Sequence, residues 1–183
     1  GDELTIKEAG HINAYLIAGP DVYVRPLAIP ANGLPSMDYG SKPADGGSLV
    51  LSLAEKEQLR LPSQLLRLAP PYVGSTEFID GKQRYCLWIA EADLPTACQL
   101  PEIASRVAAV RSFRLASKKK PTQMAAERSH SFVEIRHGTE KASSAPLIIP
   151  IHTSENRDHL PVGFLPAGSV ISNAAFGLYD APL

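Results

Sequence analysis

The stretch LPEIASRVAAVRSFRLAS, residues 100–117, carries a clear helical pattern. Ile103, Val107 and Val110 recur at intervals of four and three, which places them on one side of a helix. An apolar side of this kind is buried when a helix packs against a core. The stretch therefore predicts a core-packed helix, and the rest of the chain has to supply the surface against which it packs.

Strand-like segments lie on both sides of this helix in the sequence. Residues 11–30 alternate like paired strands that are interrupted at Gly19-Pro20-Asp21. Residues 76–90 predict a β-hairpin, with two apolar-alternating arms around Asp80-Gly81. Further strands are predicted at residues 131–137, 145–151 and 168–179.

A capping-box pattern at Ser52 and Glu55 predicts a short second helix. Short strands mixed with helices are typical of the α+β fold class. The sequence therefore predicts an α+β fold of short antiparallel or mixed strands and hairpins with two or three helices. The last residues are apolar and turn-like, so we expect residues 1–183 to form a single domain excised from a longer polypeptide.

Composition places the chain among ordinary globular proteins. It has 183 residues, of which 44% are hydrophobic and 20% are charged. No apolar run approaches the roughly 18 residues that a membrane-spanning helix needs. Two cysteines do not make a disulfide framework and no signal peptide is visible, so we expect a reducing, cytoplasmic environment.

The sequence lacks the motifs of several enzyme classes. The segment LAPPYVG resembles the active-site turn of enzymes that methylate amino groups of DNA, but Ala69 stands where that chemistry needs a hydrogen-bond acceptor. A glycine-rich turn for S-adenosylmethionine is absent, and so is the Glu-x-Lys of Mg²⁺-dependent nucleases. We therefore expect no catalytic residues, no cofactor and no metal ligands in this chain.

Positive charge is concentrated in one block. Residues 104–141 carry 9 Lys/Arg and 3 Asp/Glu, a net charge of +6, whereas residues 1–103 carry −5 and residues 142–183 carry −2. Such a block is typical of a surface that faces a polyanion, and the alternative is a solvated helix face. The candidate phosphate-binding residues are Arg111, Arg114, Lys118, Lys119, Lys120 and Arg128.

A second cluster of charge lies in IPIHTSENRDHLPVGF, residues 149–164, between two apolar runs. One interpretation is a metal site, and with it a small metal-dependent hydrolase. It would use His152, Glu155, Asp158 and His159, several of which share one face of a helix. Because a proline disfavours helical backbone in the residue before it, Pro161 argues against that helix.

The other interpretation of this cluster is recognition of DNA bases. In an extended segment Glu155, Arg157 and His159 alternate onto one face. A glutamate accepts from the amino group of cytosine, and an arginine donates to guanine O6 and N7. An exposed loop with a surface ion pair explains the cluster better when it is taken alone, but the basic block favours recognition. A third hypothesis is a protein-interaction module whose basic block docks an acidic domain.

Five segments, in order, resemble the target-recognition domain of MmeI-like fused type II restriction–modification enzymes, which are also N6-adenine DNA methyltransferases. The segments are DYGSKPADGGSLVLSLAE, PYVGSTEFIDGKQRYCLWI, SRVAAVRSFRLAS, LIIPIHTSENRDHLPVGFL and VISNAAFGLYDAPL. The resemblance covers roughly residues 10–183. It implies a non-catalytic specificity domain that binds double-stranded DNA and contacts the methyltransferase domain of the same polypeptide. It also implies that the domain does not bind a membrane.

The resemblance also implies roles for single residues. The family reads bases with a Glu-x-Arg pair, which corresponds to Glu155 and Arg157, and with a position two residues further on, which corresponds to His159. Histidine at that position departs from the family pattern, so no base is assigned to it. S-adenosylmethionine and Mg²⁺ are expected for the parent enzyme and neither for this chain.

Overall fold

A computed structural model of the chain describes residues 6, 8–21, 23, 25–27, 29–30, 33–136, 145–154 and 156–179. The chain forms two compact units, residues 1–34 and residues 35–183. The expectation of a single domain over residues 1–183 stays a prediction.

The first unit contains a tight reversal near its start. Ile12 and Ala18 form an isolated β-bridge. The Asn13 side chain accepts hydrogen bonds from the backbone N–H groups of Tyr15 and Ile17, at 3.0 and 3.2 Å. The described residues of this unit form no longer strand than this bridge, and residues 22, 24 and 28 of the predicted strand pair lie outside the described residues. Within residues 12–18 the chain reverses at an asparagine turn.

The second unit confirms the α+β class. Its strands are β1 (Asp38–Tyr39), β2 (Val50–Ser52), β3 (Tyr72–Val73), β4 (Arg84–Cys86), β5 (Leu147–Pro150), β6 (Gly163–Phe164), β7 (Val170–Ile171) and β8 (Ala175–Leu178). Its α-helices are α1 (Leu53–Gln58), α2 (Ser75–Asp80), α3 (Leu94–Ala97), α4 (Pro101–Leu115) and α5 (Lys120–Met124). Short 3₁₀ helices span Ser63–Leu68, Glu91–Asp93 and Ala125–Arg128.

The strands pair into three small sheets. The largest has the order β1-β8-β5-β6 and is antiparallel throughout. Strands β2 and β4 pair antiparallel, and β3 and β7 pair parallel. Two of the predicted strand segments, 145–151 and 168–179, thus form β5, β7 and β8. The described part of segment 131–137 contributes only a bridge between Glu134 and Lys42.

Helix α4 packs against the larger hydrophobic core as its sequence predicts. Ile103 and Val110 are fully buried, and Val107 packs against the same core. A second, smaller core lies against the four-stranded sheet and contains Ile148 and Ile171. The larger core thus joins α4 to strand residues such as Leu51 of β2 and Cys86 of β4.

The capping box at the start of α1 is confirmed. The Ser52 hydroxyl accepts from the backbone N–H of Glu55 at 3.2 Å, and the Glu55 carboxylate accepts from the backbone N–H of Ser52 at 2.8 Å. Arg106 on α4 donates to the same carboxylate at 2.7 Å. The hydrogen bonds from Arg106 and Ser52 lower the pKa of Glu55 to about 2.

The segment predicted as a β-hairpin around Asp80-Gly81 is instead helix α2 followed by β4, so that prediction is wrong. The Glu77 carboxylate accepts from the backbone N–H of Gly74 at 2.8 Å and closes the helix N-terminus. Gly81 adopts a left-handed conformation, φ 66°, and ends the helix. Because Asp-Gly favours both a hairpin turn and a helix C-terminus, its presence alone does not separate the two.

Arg114 lies on the buried side of α4, and the structure contradicts its prediction as a phosphate-binding residue. Its side chain is 0% exposed. A guanidinium has five N–H donors, and here each finds a backbone carbonyl at 2.7–3.0 Å. The acceptors are the carbonyl oxygens of Pro43, Ala44, Ala125, Arg128 and Ser131. No donor is left for a phosphate.

Replacing Arg114 with Met should destabilise the chain by about 3–5 kcal/mol, because the change leaves several buried carbonyls without a donor. Urea denaturation of the 183-residue chain measures this change in free energy. Arg114→Lys keeps the charge but has only three N–H donors, so its loss of stability should be intermediate. Arg111→Met is the matched control, since Arg111 is exposed on the same helix. Equal midpoints for the Arg114 and Arg111 variants would show that the buried guanidinium contributes nothing.

Glu55 should make stability depend on pH. Its pKa in the folded chain is about 2, below the ordinary glutamate value of 4.5, so its contribution is present above pH 4.5 and is lost as pH falls through about 2. Glu55→Gln keeps the capping geometry without the charge. We expect it to cost less than ~1 kcal/mol above pH 4.5, because the pair is partly exposed. Urea midpoints should converge towards pH 2, and a difference constant with pH would exclude this account.

Candidate nucleic-acid interface

The charge cluster of residues 152–159 lies in the loop that joins β5 to β6, at one end of the four-stranded sheet. His152, Arg157, Asp158 and His159 are all exposed, and Glu155 lies outside the described residues. The apolar segments before and after the loop form the antiparallel strands β5 and β6 of this sheet. The sheet therefore presents the described polar side chains of this loop to solvent.

The loop is not extended where the recognition hypothesis assumed it to be. The backbone N–H of Arg157 donates to the carbonyl of Ser154 at 3.2 Å, and the N–H of Asn156 donates to the Ser154 hydroxyl at 3.2 Å. These bonds form a turn, so the described residues next to Ser154 are not extended. Glu155 lies outside the described residues, and the base-reading role of Glu155, Arg157 and His159 stays a prediction.

The exposed cations of the basic block follow the end of α4. Arg111 lies on the last turns of that helix, Lys118 and Lys119 lie in the connection to α5, Lys120 begins α5, and Arg128 ends the following 3₁₀ helix. All five are exposed. Among the residues that the structure describes, none of the five has an ion-pair partner. Their charge is available to a ligand.

Lys118, Lys119 and Lys120 lie at the N-terminus of α5 and do not stabilise that helix. The N-terminus of a helix carries a partial positive charge, which makes cations unfavourable there. Lys119 is the N-cap residue of α5, and no side chain caps this terminus. A local cost of this kind is offset when the cations meet a negatively charged partner.

Arg114 connects the basic block to the sheet that carries the loop. It binds the carbonyls of Pro43 and Ala44, two and three residues after Ser41. The backbone N–H of Ser41 donates to the carbonyl of Ile171 at 2.7 Å, and Ser41 forms a bridge with Ser172. These contacts lie at the β7–β8 turn, next to the four-stranded sheet. Hydrogen bonds therefore connect the end of α4, where the cationic segment begins, to the β7–β8 turn beside the sheet that carries the charged loop.

The metal interpretation finds no geometric support in the described part of the chain. No group of three or more His, Cys, Asp or Glu residues there is arranged to hold a metal ion. Glu155, one of the four ligands in that interpretation, is not among the described residues. The described helices also include none that is both long and apolar enough to cross a membrane.

Sequence reasoning missed helix α2 as part of this region. Ser75 and Phe78 of α2 contact the two ends of the β5–β6 loop. The assignment of this segment as a hairpin hid that role. A local signal was present, because Glu77 follows Gly74 by three residues, as in a capping box, and a glycine follows the helix.

Comparison with known proteins gives consistent results. The family described as "MmeI, target recognition domain" matches residues 18–183. The chain is 30% identical to DNA methyltransferase A of Bacillus subtilis (strain 168) over 180 residues, which is 98% of this chain and 20% of that protein. The structure of the Type IIL restriction-modification enzyme MmeI in complex with DNA matches with a TM-score of 0.77 and 35% identity, covering 100% of this chain and 24% of that one. The chain thus spans a quarter or less of the length of each relative.

Proposed function

We propose a function from one premise: the chain belongs to the MmeI target recognition domain family. It is the specificity module of a restriction–modification enzyme, and it recognises a sequence in double-stranded DNA. It directs the methyltransferase part of the same polypeptide to that sequence and carries no catalysis of its own. The observation that carries this proposal is the family match over residues 18–183, which spans both the basic block and the charged loop.

The two charged regions divide the work of recognition. Phosphate contacts hold a protein in register on the duplex, and contacts to base edges read the sequence. We assign the phosphate contacts to the exposed cations of the basic block. We assign base reading to the β5–β6 loop, through Glu155, Arg157 and His159. In support, Arg157 and His159 are exposed on a loop that a sheet anchors at both ends.

Catalysis and cofactors belong to the remainder of the parent enzyme. We assign S-adenosylmethionine, and Mg²⁺ if the parent also cleaves DNA, to that remainder, because this sequence lacks the glycine-rich turn and the Glu-x-Lys that would hold them. The relatives are four to five times longer than this chain, which leaves room for those domains. A parent that methylates genomic DNA acts in the cytoplasm.

Neutralising Arg111, Lys118 and Lys120 to Gln should weaken binding of the parent enzyme about equally on cognate and unrelated duplexes. Each lost phosphate contact should reduce the slope of log K against log salt by about 1. Binding measured over a salt series gives this slope. A control with Lys56, Arg60 and Lys82 changed to Gln removes the same charge elsewhere in the chain. If both triple variants have the wild-type slope, the basic block is only a solvated surface.

Glu155 and Arg157 should act together on one C·G pair, because a carboxylate only accepts and a guanidinium only donates. Glu155→Lys with Arg157→Asp exchanges donor and acceptor, so the double variant should methylate a site changed at that one base pair. Each single variant places two like charges against the pair and should be nearly inactive, at about 1–3 kcal/mol per wrong contact.

Sequencing of methylated sites in genomic DNA compares the wild type, both single variants and the double variant. A double variant that keeps the original site at full activity would remove Glu155 and Arg157 from the base-reading set.

A further inference from the structure

We propose that helix α2 is the positioning element of the β5–β6 loop, with Ser75 and Phe78 as the residues that fix its two ends. The inference deepens the proposed function and rests on it. Residues three apart lie on the same side of a helix, so one face of α2 contacts both ends of the loop. Neither residue touches DNA in this proposal, and both act through the loop backbone.

Ser75 fixes the first end of the loop. Its hydroxyl accepts a hydrogen bond from the backbone N–H of Ile151, the first residue after β5, at 3.1 Å. The same hydroxyl donates to the carbonyl of Ala174 in the β7–β8 turn. That turn is itself held by Ser172, whose hydroxyl accepts from the N–H of Ala174 at 3.2 Å. One hydroxyl therefore joins α2, the β7–β8 turn and the start of the loop.

Phe78 fixes the second end. A Cβ placed on Gly163, the first residue of β6, would lie 2.8 Å from Phe78 Cζ and 3.0 Å from Cε2. Such distances are shorter than real carbon contacts, so glycine is needed for β6 to lie this close to the ring. Phe78 packs against the core that contains Ile148, and Ile148 pairs with Gly163 across the sheet. The ring therefore sets where the chain leaves the loop.

Helix α2 is well anchored to the rest of the unit. Glu77 receives a hydrogen bond from the guanidinium of Arg84 on β4 at 2.9 Å, in addition to the N–H of Gly74. The Arg84 guanidinium lies over the ring of Tyr72, 4.7 Å from its centroid. Tyr72 is a member of the larger core. The loop ends are thus tied through α2 to the most buried part of the unit.

Base reading tolerates only small displacements of the side chains that contact the bases, and for this reason the anchoring of the loop affects specificity. Side chains that bind a ligand selectively have to be held to within about 0.5 Å. A loop with loose ends would still allow contact with DNA, but it would admit incorrect bases more easily. Loss of an anchor should therefore lower sequence discrimination and leave binding to phosphates unchanged.

The test uses the full-length parent enzyme carrying Ser75→Ala. We measure kcat/KM for methylation of the duplex with the wild-type site and of duplexes with each single base-pair change, and the salt dependence of binding to an unrelated duplex. The ratio of the first rate to the others should fall about tenfold at positions read by the loop, since the hydroxyl's hydrogen bonds are lost. Binding to the unrelated duplex should not change. Thr76→Ala is the matched control, because Thr76 is the exposed neighbour on the same helix.

Two further variants separate positioning from general damage. Ser75→Thr keeps the hydroxyl and should retain discrimination. Gly163→Ala should lower discrimination, because its methyl group would meet the tip of the Phe78 ring. Phe78→Leu removes the Cζ and Cε atoms, so the double variant Gly163→Ala, Phe78→Leu should recover most of the ratio.

Arg157→Ala distinguishes failure of this inference from failure of the proposed function. If Arg157→Ala loses discrimination while Ser75→Ala and Gly163→Ala keep it, α2 does not position the loop and the proposed function stands. If Arg157→Ala itself keeps the wild-type site preference, the loop does not read bases and the premise fails. Equal loss of specific and unrelated binding in Ser75→Ala would mean general damage, which also overturns the positioning role.

Discussion

The buried guanidinium of Arg114 is the interaction on which the arrangement of the larger unit depends. Burying a charge is costly unless hydrogen bonds replace its hydration. Burial lowers the pKa of Arg114, and the carboxylate of Asp45 opposes that shift. All five donors bind backbone carbonyls, two from residues that precede Arg114 by 70 and 71 positions and three from residues 125–131, which follow α4. Because the acceptors are backbone atoms, the contact fixes the course of the chain whatever the side chains of those residues are.

Arg114 lies at the end of α4, between the part of the helix that is bound to the core and the cationic segment that follows the helix. Before it, Ile103 and Val110 bind the helix to the core. After it, the chain continues into the exposed lysines of residues 118–120. A flexible cationic segment would lose conformational entropy on binding a duplex. Here the segment starts just after Arg114 and is followed by the carbonyls of Ala125 and Arg128, which Arg114 binds, so much of that entropy is already lost on folding.

Sequence reasoning succeeded where the structure depends on residues close in sequence, and it failed where the structure depends on distant contacts. Helix α4 and the Ser52–Glu55 capping box were predicted correctly, because periodicity and capping depend on neighbours in sequence. Helix α2 was missed, since Asp80-Gly81 fits two local structures and only packing selects one. The role of Arg114 was also missed: a cation in line with a buried stripe has the same sequence pattern whether it reaches solvent or five distant carbonyls. The hydrogen bonds that Ser154 accepts from Asn156 and Arg157 also have no sequence signal that separates them from an extended segment.

The contacts at the two ends of the β5–β6 loop are made differently from those within it. At Ile151 the hydrogen bond uses the backbone N–H, and at Gly163 the contact depends on the absence of a side chain. The described polar side chains between them are exposed, and those of Arg157 and His159 make no hydrogen bond or ion pair with the described residues. Substitutions inside the loop therefore leave both anchors intact. A framework of this kind separates the residues that we propose to read bases from those that maintain the fold, so one set is able to change without the other.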